Sequence, residues 1–452
     1  MTGASISRWT MSYFAAALFF LLGGEALFAA GFGFPVLPIE APETLVVVHI
    51  FAIGWLGLLF CGALLQFVPV LVSKPLHAPD LALHALLLLI AGLLCLVCGF
   101  VHLAGYFDGG LVLLPVGGMF LAAGFGFVVY MVGGTLLSAR PIGLPARFVA
   151  TGLVALTATA ILGVSFALDL SGVIEASFLD QLLVNGLSLH AFLGLIGWMS
   201  VSAFGVSYRM LAMFLLAPEI DRRTTSAAWL FLTVAVLAVI VAIPVAAYGL
   251  DATAGVHAAI AIAIIAACLF AYDVVNIYRQ RKRRSLELNT QMSAVAVGAL
   301  MLAIGLFLFL SLSGTLASQI GALVYLIAFG WLTVLGLGQL YKIVAFITWL
   351  EYYGPVLGRK PVPRIQDLIN ERRASSWFYL YAGCVAASVL ALLLEMPLLF
   401  RLAALIQLIA VAALVIELAR TRKLSYVAIA PAADGENLQH PPLFLPTPIK
   451  RK

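Results

Sequence analysis

Long apolar segments separated by short polar loops run through almost the whole chain. Twelve of them reach the roughly 18 residues that mark a helix able to cross a bilayer. They lie at residues 11–33, 44–72, 81–105, 111–138, 146–169, 184–216, 226–249, 254–278, 291–311, 318–350, 376–395 and 398–419. The pattern therefore predicts an all-α polytopic membrane protein with twelve transmembrane helices.

Three of the predicted helices, the second, sixth and tenth, share an internal pattern. The copies are Gly54-Trp55 with Gly62, Gly197-Trp198 with Gly205, and Gly330-Trp331 with Gly338. In each copy the second glycine follows the tryptophan by seven positions. Seven positions are two helical turns, so both residues lie on one face, and the glycine leaves room for a close neighbour.

The spacing of these copies predicts the domain organisation. The copies begin about 140 residues apart, which is too long for a solenoid repeat and suits blocks of four helices. We expect one transmembrane domain over residues 1–424, with repeats at roughly 11–138, 146–278 and 291–419. A pseudo-threefold ring of the three blocks is the predicted architecture.

Composition and charge agree with a membrane protein and indicate its orientation. Hydrophobic residues make up 63% of the chain and charged residues 10%, against roughly 25% charged in soluble domains. When loops alternate from a cytoplasmic N-terminus, Arg401 is the single basic residue left outside, so both termini are predicted to be cytoplasmic in a cell membrane. The basic residues are spread over many helix ends, which gives a nucleic-acid partner no support.

Two segments outside the helices have a composition of their own. The loop 351–373 is basic and interrupted by Pro361 and Pro363, and we expect it to be a cytoplasmic docking site for a redox or assembly protein. The tail 425–452 is rich in proline and is predicted to be disordered.

Histidines are the first candidates for chemistry. Four of the seven lie near the predicted outer ends of helices: His49, His102, His190 and His257. Imidazole is the commonest protein ligand for haem iron and copper. His49 and His190 lie deeper and precede a Gly-Trp pair, which favours cofactor binding. The other two are candidate metal ligands or polar residues at the membrane interface.

The third predicted helix offers a second possible metal site. Cys95, Cys98 and His102 are spaced by 3 and 4 residues, which places them on one helical face. Two thiols and an imidazole suit a soft metal such as Cu(I). The alternative is that the cysteines are small residues at a helix contact.

Charged side chains within the predicted helices are the remaining candidates. Glu25 and Asp273 are predicted to relay protons or bind an ion. Alternatively, Asp273 pairs with a basic helix end such as Arg279, and Glu25 forms a hydrogen bond within the bundle. Arg209 and Lys342 occupy matching positions in the repeat, and we expect both to extend towards the polar interface.

The histidine ahead of Gly-Trp, in a chain of twelve helices with threefold repetition, resembles the catalytic subunit of haem-copper oxidases and nitric oxide reductases. The closer resemblance is to their short isolated relatives, the NnrS-type haem-copper membrane proteins linked to nitric oxide tolerance in the inner membrane. The resemblance implies that His49 is an axial ligand of a low-spin haem and that His190 is a copper ligand.

The chain also departs from that family. Full members carry a histidine pair after the sixth helix and two histidines on the tenth, whereas here the seventh and tenth helices have none, and Tyr325 occupies the repeat position of His49. A complete binuclear reductase centre is therefore not expected, and enzymatic activity stays open. In their local frames His49 and His190 point about 160° apart, so they need not face the same cofactor.

Two other classes of function remain open. A transporter of a small solute or ion would suit twelve helices with intramembrane charges, although transporter repeats are usually twofold with broken helices. A non-catalytic assembly or structural protein would dock a partner through the loop 351–373. A bound chromophore would separate the haem or copper protein from both.

Overall fold

A computed structural model describes residues 9–218, 222–359, 361–427 and 442–443. Within these ranges the chain forms twelve helices long and apolar enough to cross a membrane, and it forms no β-strand. The prediction of an all-α, multi-pass membrane protein is confirmed. Most of the predicted tail 425–452, together with Arg8 and Lys360 of the predicted cytoplasmic charges, lies outside the described residues.

We number the membrane helices α1 to α12 in chain order. They are α1 (Thr10–Ala30), α2 (Pro42–Val72), α3 (Leu81–Leu103), α4 (Leu113–Leu137), α5 (Leu144–Leu170), α6 (Ser177–Leu215), α7 (Arg223–Ala247), α8 (Thr253–Arg279), α9 (Leu288–Leu312), α10 (Leu316–Val356), α11 (Glu371–Leu393) and α12 (Pro397–Arg422). The largest differences from the predicted bounds are at α6, which begins seven residues earlier, and α10, which ends six residues later. A helix satisfies its own backbone hydrogen bonds, so it can continue past the apolar run into polar surroundings.

Each Gly-Trp repeat adopts a π-helical conformation. The three segments are Ile50–Gly57 in α2, Leu193–Ser200 in α6 and Leu326–Thr333 in α10, each of eight residues. In the last two, the final hydroxyl donates to a carbonyl five residues earlier, at 2.9 Å in both cases. π-helical segments are rare and occur frequently at functional sites. The repeat is therefore a repeat of local backbone structure as well as of sequence.

Contacts divide the chain into two compact units. The first unit contains α2 to α8, and the second contains α1 with α9 to α12. Within the second unit, α12 packs along both α1 and α11. The helices that carry the repeat, α2, α6 and α10, are the most buried. In the apolar stretch of each, 61–67% of the residues are buried, against at most 50% in the other membrane helices. The repeated pattern thus marks the cores of the units.

In two of the three copies, the second glycine of the repeat lies at a close helix contact, as the sequence predicted. A Cβ atom on Gly205 would lie 2.5 Å from the Pro145 carbonyl oxygen and 2.6 Å from the Cβ of Phe148, both on α5. A Cβ on Gly338 would lie 2.7 Å from the Cβ of Met292 on α9. Because these neighbours are backbone or Cβ atoms, they cannot move aside as the end of a flexible side chain can.

We expect Gly205→Ala to lower the free energy of unfolding by about 1–3 kcal/mol, because the added methyl group must push α6 away from α5. Gly126→Ala on α4 is the matched control, since nothing lies within 4 Å of its added Cβ. The control should leave stability unchanged or raise it by about 0.5–1 kcal/mol. Unfolding in mixed detergent micelles, followed by circular dichroism, measures both. Equal stability of the two variants would contradict the close approach.

The loop 351–373 packs against the second unit. Leu368 is buried in a cluster with Tyr352, Tyr353 and Leu424. The Trp349 indole N–H donates to the Pro363 carbonyl at 2.7 Å. Part of the surface that a partner protein would use is therefore occupied by the chain itself. Docking of a partner here stays a prediction. Four arginines of the loop are exposed, of which Arg364 and Arg373 are paired with Asp367 and Glu417; the other two are Arg359 and Arg372.

Candidate functional site

The first unit brings His49 and His190 within electrostatic range of each other. His49 is the residue directly before the π-helical segment of α2, and His190 lies three positions before the segment of α6. Both side chains are half-buried. Their local frames differ by about 160°, so whether the two side chains come near each other depends on how α2 and α6 are placed within the unit. The sequence could not predict this proximity.

The hydrogen bond of His49 determines which ring nitrogen is available. Its Nδ1 lies 2.7 Å from the Leu45 carbonyl oxygen, one turn earlier in α2. A carbonyl oxygen only accepts, so Nδ1 carries the proton and Nε2 keeps a lone pair. The ring packs beside Phe100 of α3, with 5.1 Å between centroids. A metal-ligating histidine has this arrangement, with one ring nitrogen donating to a carbonyl and the other free to bind.

His190 has one ring nitrogen without a hydrogen-bond partner. Its Nδ1 is buried and unpaired, and the backbone of Thr159 on α5 lies near the ring. A hydrogen bond from Nε2 to the Thr159 carbonyl would leave the lone pair on Nδ1. The ring of Phe166 meets the imidazole edge-on at 5.4 Å between centroids. The first unit therefore holds two imidazoles that could each ligate haem iron or copper.

The other predicted metal ligands are not brought together. In the part of the chain that the structure describes, no three His, Cys, Asp or Glu side chains are placed to hold a metal ion. The His102 Nδ1 donates to the Phe107 carbonyl at 2.6 Å, while Cys98 and His257 are exposed and Cys95 is partly exposed. The soft-metal site on α3 thus gains no support from the fold.

Asp273 does not pair with Arg279, and this expectation was wrong. Its carboxylate accepts three hydroxyl hydrogen bonds: from Thr224 at 2.6 Å, Thr225 at 2.8 Å and Tyr208 at 3.0 Å, while Arg279 is exposed. The donors come from α6 and α7, so Asp273 on α8 links three helices of the first unit. With both oxygens satisfied, Asp273 has the contacts of a structural residue, and its role as a relay stays a prediction.

The two basic residues of the repeat differ from each other. Arg209 is exposed, and its reach to the polar interface stays a prediction. Lys342 is buried, and its Nζ lies 2.7 Å from an Oε2 of Glu287, whose side chain is only 6% exposed. The prediction that Lys342 reaches the polar interface was wrong, because the residue before α9 supplies a buried counter-charge that the sequence pattern did not reveal.

Glu25 is the most isolated of the candidate residues. It is fully buried in α1, and neither carboxyl oxygen has a hydrogen-bond partner. The alternative prediction was a hydrogen bond from Glu25 to another helix of the bundle, and the described side chains form no such bond. Tyr325, Tyr381 and Cys384 lie within electrostatic range of it in the second unit.

The polar residues that surround Glu25 were not predicted from the sequence. The Tyr325 hydroxyl donates to the Gln407 Oε1 at 2.7 Å, and the Ser388 hydroxyl donates to the same oxygen at 3.2 Å. Tyr325 and Gln407 are 82 positions apart, so only packing brings them together. One signal was available in the sequence: Tyr325 occupies the repeat position of His49, six residues before the tryptophan.

Comparison with known proteins does not identify a family for this chain. No protein-family model matches the chain, and no curated protein resembles it in sequence. The functional conclusion therefore depends on the chemistry of these residues.

Proposed function

We propose that this protein binds haem or copper through His49 and His190 in a membrane domain of haem-copper oxidase-like fold. Its role would lie in nitric oxide or respiratory metal physiology, in a cell membrane with both termini cytoplasmic. One observation supports the proposal: the first unit holds two imidazoles within electrostatic range, of which His49 keeps an unprotonated Nε2 and His190 has a buried Nδ1 without a hydrogen-bond partner.

The donor set fits such a cofactor. Nitrogen lone pairs of neutral imidazoles are the usual protein ligands of haem iron and also suit copper. The orphaned Nδ1 of His190 is a buried acceptor whose lack of a partner costs about 1–3 kcal/mol, and ligation would remove that cost. The Leu45 carbonyl holds the His49 ring in the tautomer that binds through Nε2. Phe100 and Phe166 pack against the two rings.

The same residues limit the chemistry. Neither α7 nor α10 contains a histidine, so the donors of a complete haem-copper pair are missing. When bound, haem or copper would supply one-electron transfer or binding of a small gaseous ligand. Binding, sensing or electron transfer therefore fits this chain better than reduction of nitric oxide or oxygen.

The test is an absorption spectrum of the protein purified in detergent after expression with ample haem and copper. Oxidised and dithionite-reduced spectra should show a Soret band with reduced α and β bands, or copper absorption, together with stoichiometric iron or copper per chain. A colourless, metal-free protein with full helical circular dichroism would overturn the proposal.

A further inference from the structure

The second unit contains a buried polar cluster that haem or copper binding through His49 and His190 does not use. We call it the Glu25 cluster, and its members come from four helices of that unit: Glu25, Tyr325, Tyr381, Ser388 and Gln407. Each is at most 4% exposed. Membrane helices rarely bury so many polar groups together without a function.

The hydrogen bonds within the cluster leave a specific set of atoms unpaired. The Gln407 Oε1 accepts from both Tyr325 and Ser388, so its Nε2 still has N–H groups to donate. That Nε2, the Tyr381 hydroxyl and both oxygens of Glu25 form no hydrogen bond of good geometry, although Tyr381 is close enough to Gln407 and Thr333 to interact with both. Native structures leave few such atoms, and each costs about 1–3 kcal/mol. Donors and acceptors are both present, so a small ligand that can donate and accept would satisfy them.

The charge balance around Glu25 restricts that ligand further. Among the described residues no cation acts on its carboxyl group. Arg401, the nearby arginine of α12, donates to the Ala29 carbonyl at the end of α1. An ionised carboxylate without a counter-charge is very costly in an apolar interior. The neutral, protonated form of the Glu25 carboxyl group avoids this cost.

The orientation of Gln407 distinguishes water from a metal cation. A cation site would turn the amide oxygen towards the bound ion, but here that oxygen is used by two hydroxyl groups and the amide nitrogen is left. Aromatic rings pack around the Tyr325 side of the cluster: Phe28, Phe329 and Phe400 lie 6.1, 4.3 and 5.4 Å from the Tyr325 ring between centroids. These rings form an apolar wall on the Tyr325 side, so the polar groups of the cluster are the partners that a water molecule there would have.

We propose that the Glu25 cluster binds water and that Glu25 is a protonated carboxyl group exchanging its proton through that water. A buried water typically makes about three hydrogen bonds. The Glu25 carboxyl, the Gln407 amide nitrogen and the Tyr381 hydroxyl supply that number.

Infrared spectroscopy of the detergent-purified full-length chain at neutral pH tests the proposal. The difference spectrum between wild type and Glu25→Gln should contain the C=O band of a neutral carboxylic acid, and this band should shift after equilibration in D₂O. Gln407→Leu should move the band to higher wavenumber because it removes a hydrogen-bond donor. A variant that merely perturbed the fold would lose helical circular dichroism instead.

Three results would overturn the proposal. Absence of the band from the difference spectrum would mean that Glu25 is ionised. A band that does not shift in D₂O would mean a dry, closed carboxyl group. Loss of the band on adding Na⁺ would mean a cation site. The Asp273→Asn and His49→Ala proteins should both retain the band, which keeps the outcome separate from that of haem or copper binding.

Discussion

The His49→Ala protein is expected to lose the visible absorption of the wild type and most of its bound iron or copper. The reason is that the imidazole offers Nε2 as a ligand while Nδ1 is held by the Leu45 carbonyl at 2.7 Å, and alanine has no ligand atom. Paired oxidised and reduced spectra, with metal counted per chain on the same sample, measure the loss. His190→Ala should reduce metal content as well.

His84→Ala is the matched control for that experiment. The His84 Nδ1 also bonds a carbonyl one turn earlier, that of Asp80, at 3.2 Å, but its side chain is exposed. Its removal should leave spectrum and metal content unchanged. Retention of the full spectrum by His49→Ala, or an equal loss in His84→Ala, would mean that His49 is not a ligand.

Lys342→Met is expected to destabilise the second unit by about 3–5 kcal/mol, because it leaves a buried carboxylate without its ammonium partner. The Lys342 Nζ lies 2.7 Å from the Glu287 carboxylate, and the two side chains are 10% and 6% exposed. Adding Glu287→Gln to Lys342→Met should recover part of the loss, since the double variant buries no unpaired charge. Unfolding free energies of the two single variants and the double variant give the coupling directly.

The exposed pair of Arg364 and Asp367 is the control for this cycle. Its atoms approach to 3.4 Å with side chains 80% and 41% exposed, so Arg364→Ala should leave the free energy of unfolding almost unchanged. The Arg364 backbone N–H and guanidinium lower the pKa of Asp367, so any contribution of that pair is present at neutral pH and is lost as the pH falls through the lowered pKa. A loss at Lys342 no larger than that at Arg364 would contradict a buried ion pair.

The sequence predicted the twelve helices because crossing a bilayer requires a local property, an uninterrupted apolar run. It also located the structurally repeated segments, since Gly-Trp and the glycine two turns later are visible in the chain. It did not predict their π-helical backbone, because hydrophobic periodicity does not report whether a residue bonds four or five positions back. It likewise missed the polar start of α6 at Ser177, where the helix continues outside the apolar run.

Side-chain partners were decided by the tertiary structure alone. The sequence identified Glu25, Asp273 and Lys342 as ionisable groups inside predicted helices, which made each a candidate. Packing then placed three hydroxyl donors on Asp273, a carboxylate beside Lys342 and no hydrogen-bond partner among the described residues on Glu25. Membrane insertion depends on the composition of one helix, whereas the role of a buried charge depends on groups within a few ångströms that come from distant parts of the chain.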